Sequence, residues 1–217
     1  MSVLMVTGGG SGIGAAVAGQ AARDGHAVVI CGRWERSLQA VAERTGAVPI
    51  VADMARPDEV TRTIAAAVER YGHLDGVVAN AGIMRAGSAL DVSVDDWDAV
   101  MATNLRAAFL LLREAMPYLL DSRGAVVAVS SIAALRASSG AAAYATAKAG
   151  LTMLTQTVAV DFGPRGVRAN VVCPGWVRTE MADAEMAEFG AIGGLSREAA
   201  YTESDPAGTP AAPGQTR

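Results

Sequence analysis

Val3-Leu4-Met5-Val6-Thr7-Gly8-Gly9-Gly10-Ser11-Gly12-Ile13-Gly14-Ala15-Ala16-Val17-Ala18 decides the fold. The aliphatic run of residues 3–6 has the length and bulk of a buried strand, and the alanine-rich segment after the glycines has helical spacing. Between strand and helix, glycines let the backbone turn sharply and approach a ligand closely. The helix N-terminus adds partial positive charge, so the unit suits a pyrophosphate. The spacing Gly8-xxx-Gly12-x-Gly14 is a variant of the commoner G-x-G-x-x-G dinucleotide fingerprint. Gly8, Gly10, Ser11, Gly12, Ile13 and Gly14 are therefore candidate cofactor contacts.

The same alternation continues along the chain. Residues 27–31, 48–51, 76–79, 125–129 and 167–172 are short, aliphatic and rich in valine, while residues 15–23, 37–43, 59–71, 95–120 and 142–162 carry apolar residues at helical spacing. Continuous aliphatic runs indicate strands covered on both faces. A βαβ series of this kind predicts an α/β fold, a doubly wound parallel sheet with helices on both faces. Pro57 ahead of Asp58 and Glu59, and Ser93 ahead of Asp95 and Asp96, mark helix starts.

The chain has 217 residues, 51% of them hydrophobic and 18% charged, with a formal net charge of −4. That is enough for one α/β domain with a buried core. No basic run points to nucleic acid or to an anionic membrane. No uncharged run reaches the ~18 residues of a membrane span. The N-terminus has no basic leader before its apolar run, so the expected location is cytoplasmic. Cys31 and Cys173 each end a predicted strand, as small buried thiols commonly do, and make no disulfide framework. His26 and His73 stand apart from any acidic or cysteine cluster, so no metal site is expected.

Cofactor choice is read at the end of the second strand. NAD sites usually place an acidic residue there, whereas NADP sites place an arginine nearby for the 2′-phosphate. Here Cys31-Gly32-Arg33 offers no acid and one arginine, which favours NADP(H) over NAD(H); the alternative is that Arg33 caps a turn. Asp53, with Met54 just after the third strand, suits the adenine amino group or, equally, the start of the helix at Pro57. In Tyr144-xxx-Lys148 the helical spacing stacks a phenol and an ammonium on one face. The ammonium favours the phenolate and so brings the tyrosine towards neutrality as a proton donor and acceptor.

With these residues, Asn80-Ala81-Gly82, Asn104, Ser131 and Pro174-Gly175 in order, the chain resembles the short-chain dehydrogenase/reductases from residue 1 to about residue 181. The resemblance implies a Rossmann-like, three-layer domain over residues 1–201. It also implies an oxidoreductase that interconverts a carbonyl and a secondary alcohol by hydride transfer. Tyr144 would be the general acid/base, Lys148 would hold the nicotinamide ribose, Ser131 would bond the substrate oxygen, and Asn104 would carry a water linking Lys148 to solvent. Ser130 is the neighbour to tell apart from Ser131, and a local helix irregularity at Asn104 would expose a carbonyl to that water. Asn80, Ala81 and Gly82 would run beside the adenosine ribose. Pro174, Gly175, Val177 and Thr179 would hold the carboxamide.

A substrate lid is expected over residues 176–201, with Ala133, Leu135, Ala141 and Met186 as candidates for an apolar pocket. A hydroxy- or oxo-acyl chain, a small diol or ketone, or a steroid would all suit it. Residues 202–217 have neither periodicity nor apolar content and are expected to be disordered. The family's further helix and last strand are not legible there, and their loss would leave the sixth strand an edge. A homodimer through the 95–120 and 142–162 helices is expected and a tetramer is not. The alternative function is a non-catalytic dinucleotide-binding or interaction protein, disabled by that loss.

Overall fold

Valine-rich segments too short for helices become the strands of one parallel sheet. The computed structural model describes residues 1–203 and resolves two compact units, Met1–Pro174 and a second from Gly175 onward. In the first unit the strands are β1 (Val3–Thr7), β2 (Ala27–Gly32), β3 (Val48–Val51), β4 (Gly76–Ala79), β5 (Ala125–Val129) and β6 (Arg168–Val172). They lie in the order β3-β2-β1-β4-β5-β6, all neighbours parallel. The order reverses between β1 and β4, which opens a crevice at the strands' carboxyl ends.

Helices α1 (Gly12–Arg23) and α2 (Glu35–Thr45) cover one face, where Ala18, Ala21, Leu38 and Val41 pack on Val6, Val28 and Ile30. On the other face, α3 (Pro57–Tyr71), α5 (Ala107–Ser122) and α6 (Ala142–Phe162) bury Ile64, Leu111, Leu119 and Leu151 against Met5, Val29, Val77 and Val126. Cover is incomplete at β6, where Arg168, Asn170 and Val172 are exposed and alternate with half-buried Ala169 and Val171. The expected helix starts are present: Pro57 sits in the first turn of α3, and Ser93 Oγ accepts from the Asp96 N–H at 3.0 Å at the start of α4 (Val94–Met101).

One expected helix is interrupted. In place of the single helical stretch expected over residues 95–120, α4 and α5 are joined by a π-helical turn, Ala102–Arg106. A π turn inserts a residue into the helix and shifts its hydrogen bonds by one. Asn104 lies at the centre of that turn.

The second unit contains α7 (Glu180–Gly193) and α8 (Arg197–Glu203). Thr179 Oγ1 caps α7 by accepting from the Ala182 N–H at 3.2 Å. Arg178 donates two hydrogen bonds to the Glu198 carboxylate at 2.8 and 2.6 Å, and its guanidinium lies 4.6 Å from the Tyr201 ring centre. That pairing holds the Glu198 carboxyl below the usual range. The expected disordered tail begins two residues inside α8 and otherwise lies outside the described residues.

Candidate active site

The first turn of the site is made by steric exclusion. Gly8 adopts φ +64°, and a Cβ there would lie 3.0 Å from Ala81 Cα and from Asn80 Nδ2. A Cβ at Gly14 would overlap the Gly8 carbonyl oxygen. The loop after β1, the start of α1 and the loop after β4 thus meet with no room for side chains at Gly8 and Gly14. Asn80 bolts them together, its Nδ2 donating to the carbonyls of Thr7 at 2.9 Å and Gly8 at 3.3 Å. Ser11, the N-cap of α1, makes no side-chain cap bond, which leaves the first-turn N–H groups of α1 available to a ligand. Exposed Ser11 and Gly12, and half-buried Gly10 and Ile13, line this opening. A dinucleotide's pyrophosphate fits such a backbone cradle.

Thr7 completes that junction, and sequence reasoning passed over it. Its Oγ1 accepts from the N–H groups of Asn80 at 2.9 Å and Ala81 at 3.0 Å. The available signal was a hydroxyl residue between a buried strand and the first glycine. Arg33 is exposed just beyond β2, with its guanidinium 5.8 Å from the Trp34 ring centre. Asp53 Oδ1 accepts from the Ala55 N–H at 3.0 Å, a local turn ahead of α3. Met54 is buried and lines a small cavity with Thr7, Ala81 and Asn104.

The four catalytic candidates come from the loop after β5, from α6 and from the π turn. Lys148 is 3% exposed, and its Nζ donates to the Val129 carbonyl at 2.8 Å. Burial pushes the ammonium down to about 8, and the Cys173 thiol opposes that shift. Tyr144, one turn earlier and half-buried, has its ring centre 5.7 Å from Nζ. Asn104 is held by Ile83, whose N–H donates to Oδ1 at 2.8 Å and whose carbonyl accepts from Nδ2 at 2.9 Å. A Cβ at Gly82 would lie 3.3 Å from Asn104 Oδ1 and 3.4 Å from Lys148 Nζ, so the two groups converge there.

Ser130 and Ser131 separate cleanly. Ser130 is buried and its Oγ is engaged by α6. Ser131 is half-buried, and its Oγ accepts from the Ala133 N–H at 3.1 Å, which leaves the hydroxyl proton to donate. Pro174 ends the first unit, its carbonyl accepting from the Ile132 N–H at 2.9 Å. Gly175, Val177 and Thr179 belong to the second, where Val177 is 42% exposed and Thr179 caps α7. Of the residues proposed for an apolar pocket, Ala141 and Met186 are buried whereas Leu135 is exposed.

The model of the family described as short chain dehydrogenase matches residues 2–188. The chain belongs to the short-chain dehydrogenase family. A 3β-hydroxysteroid dehydrogenase of Mediterraneibacter gnavus is 37% identical over 193 residues, spanning 86% of this chain and 70% of the relative. A trans-4-hydroxycyclohexanecarboxylate dehydrogenase of Sinomonas cyclohexanicum is 37% identical over 212 residues, 93% of this chain and 82% of the relative. Among solved structures, actinorhodin polyketide ketoreductase with NADPH superposes with a TM-score of 0.90 at 29% identity, over 96% of this chain and 84% of that one. This short-chain dehydrogenase is an NAD(P)-dependent oxidoreductase acting between a carbonyl and an alcohol, and the non-catalytic alternative is not favoured. No helix among its described residues is long and apolar enough to cross a membrane.

Proposed function

We propose that Tyr144 is the proton donor and acceptor of this oxidoreductase and that Lys148, Ser131 and Asn104 complete its machinery. The observation that carries the reading is the buried Lys148 Nζ, 2.8 Å from the Val129 carbonyl and 5.7 Å from the centre of the Tyr144 ring. An ammonium so placed stabilises the phenolate, so Tyr144 can take a proton from an alcohol or return it to an alkoxide. Ser131, with its hydroxyl proton to donate, bonds the substrate oxygen and stabilises charge on it. Asn104 sits in the π turn where a shifted hydrogen-bond ladder leaves a carbonyl for a proton relay. When bound, the nicotinamide cofactor supplies or accepts the hydride.

The glycine loop with Ser11 and Ile13 would hold the pyrophosphate, Asp53 and Met54 the adenine, Asn80, Ala81 and Gly82 the adenosine ribose, and Lys148 the nicotinamide ribose. NADP(H) is preferred because Arg33 is exposed beyond β2 where no acid stands. A ligand at a hundred times its Kd adds about 2.7 kcal/mol to the native state. Thermal unfolding should therefore show a clear rise with NADPH and a smaller one with NADH. Arg33→Asp should reverse that order. An equal rise with both cofactors in the parent chain would remove the preference.

The substrate we favour is an alicyclic secondary alcohol or its ketone. Ile132 and Leu135, just past Ser131, are 40% and 69% exposed and offer an apolar wall. The steroid and cyclohexanecarboxylate activities of the two relatives point the same way. The unpaired cysteines support a cytoplasmic location. A homodimer through α4, α5 and α6 is supported by exposed Phe109, Met153 and Val160 and by a groove between Met101, Leu105 and Leu154. Light scattering should give the mass of a dimer; a lone monomer or a stable tetramer would count against this surface.

A further inference from the structure

Three consecutive residues at the end of β5 meet α6 in three different ways. Val129 offers its carbonyl to Lys148 Nζ, and Ser131 turns its hydroxyl towards its own loop. Between them, buried Ser130 donates from Oγ to the backbone carbonyl of Lys148 at 2.9 Å. Thr152, one turn further along α6, donates to that carbonyl at 3.0 Å, and its Oγ1 lies 2.8 Å from Ser130 Oγ. Two hydroxyls thus converge on a carbonyl that also serves the helix ladder. The Ser130 N–H donates to the Val172 carbonyl at 2.8 Å, which ties the same residue to β6.

Lys148 is therefore gripped at both ends by adjacent residues, its ammonium by Val129 and its carbonyl by Ser130. A slide of α6 along β5 would break both grips together and change the spacing from Lys148 and Tyr144 to Ser131. We propose that Ser130 and Thr152 are positioning residues that fix Lys148, and with it Tyr144, against the end of β5. The inference rests on the reading of Tyr144 and Lys148 as the proton-transfer pair. Two titratable groups face Lys148 among the described residues, Tyr144 on its own helix and Cys173 beyond β6, while Asn104 and Gly82 bring no charge.

The test is the pH profile of alcohol oxidation by the full chain with NADP⁺ and cyclohexanol as the probe substrate. Ser130→Ala and Thr152→Val should each lower kcat about tenfold, because a displacement well under an ångström suffices to misalign proton transfer. The double variant should lose little more than either alone, since the two hydroxyls act as one unit. With the ammonium less well placed, the acid limb of kcat should move up by about half a pH unit or more. Thr152→Ser, which keeps the hydroxyl, should restore both kcat and the limb. It also keeps the test open if Ser130→Ala fails to fold.

A lowered melting temperature with an unmoved limb would overturn the positioning role. So would Thr152→Ser behaving like Thr152→Val. Tyr144→Phe in the same assay separates the two levels of the argument. Turnover surviving that change removes the proton-transfer reading itself. Turnover lost there, with an unmoved limb in the Ser130 and Thr152 variants, overturns the positioning role alone.

Discussion

Tyr144→Phe is expected to lower turnover by about a hundred- to ten-thousand-fold, the range set by a positioned proton donor. The cofactor-induced rise in melting temperature should be nearly unchanged. The phenol oxygen is the one group removed, and the ring that packs in the first turn of α6 remains. Lys148 cannot replace it: the residue is 3% exposed and its Nζ is committed to the Val129 carbonyl. Ser131 can donate a hydrogen bond but, with an ordinary hydroxyl, cannot hold a charge near neutral pH. Initial rates in both directions, with thermal unfolding in NADPH alongside, check the prediction. Survival of turnover together with the thermal shift would mean that another group carries the proton.

Much of the scaffold was legible because strand and helix differ so clearly in residue type here. Residues 27–31, 48–51, 76–79 and 125–129 coincide with strands to within a residue, since valine runs between glycine and polar turns leave no helical alternative. A local helix irregularity at Asn104 was expected, but its π form was not legible. One inserted residue rotates the apolar pattern by about 100°, but Thr103, Asn104 and Arg106 interrupt the apolar pattern within the turn and the run from Ala107 to Leu112 is wholly apolar, so no phase shift can be read across it. Tyr144 and Lys148 could be paired from spacing alone. Ser131 was set apart from Ser130 by its spacing to Tyr144 in the resembled family, but which hydroxyl α6 engages is a matter of the fold and is written in no local pattern. Thr7 was missed for the same reason: its role is to satisfy N–H groups more than seventy residues away, and no local pattern records that.

Lys148→Met should separate the catalytic and the structural consequences of one buried charge. At 5.7 Å from the Tyr144 ring centre, the ammonium favours the phenolate over the phenol. Without it, turnover at neutral pH should fall about a hundredfold. Stability should respond in the other sense. Lys148 is pushed by burial from 10.5 to about 8, so between those values the unfolded chain holds a proton that the folded chain has released. Stability then rises with pH, by about 1.4 kcal/mol per unit at full effect. Below about pH 8 the folded state carries the whole cost of the buried charge. Cys31 acts oppositely: its thiol, pushed from 9.0 up to about 12 by burial, keeps its proton in the folded state and lowers stability as pH rises above 9. The window between pH 8 and pH 9 lies below the loss from Cys31, so there the difference between the two proteins follows the Lys148 site. Urea unfolding across it should show the parent chain gaining about 1 kcal/mol relative to Lys148→Met. Above pH 9 both proteins share the loss from Cys31, and the difference between them continues to widen towards 10.5. A difference that stays flat across this window would mean that the Val129 carbonyl fully compensates the ammonium for its lost water, so that Lys148 is charged in the folded state at no cost.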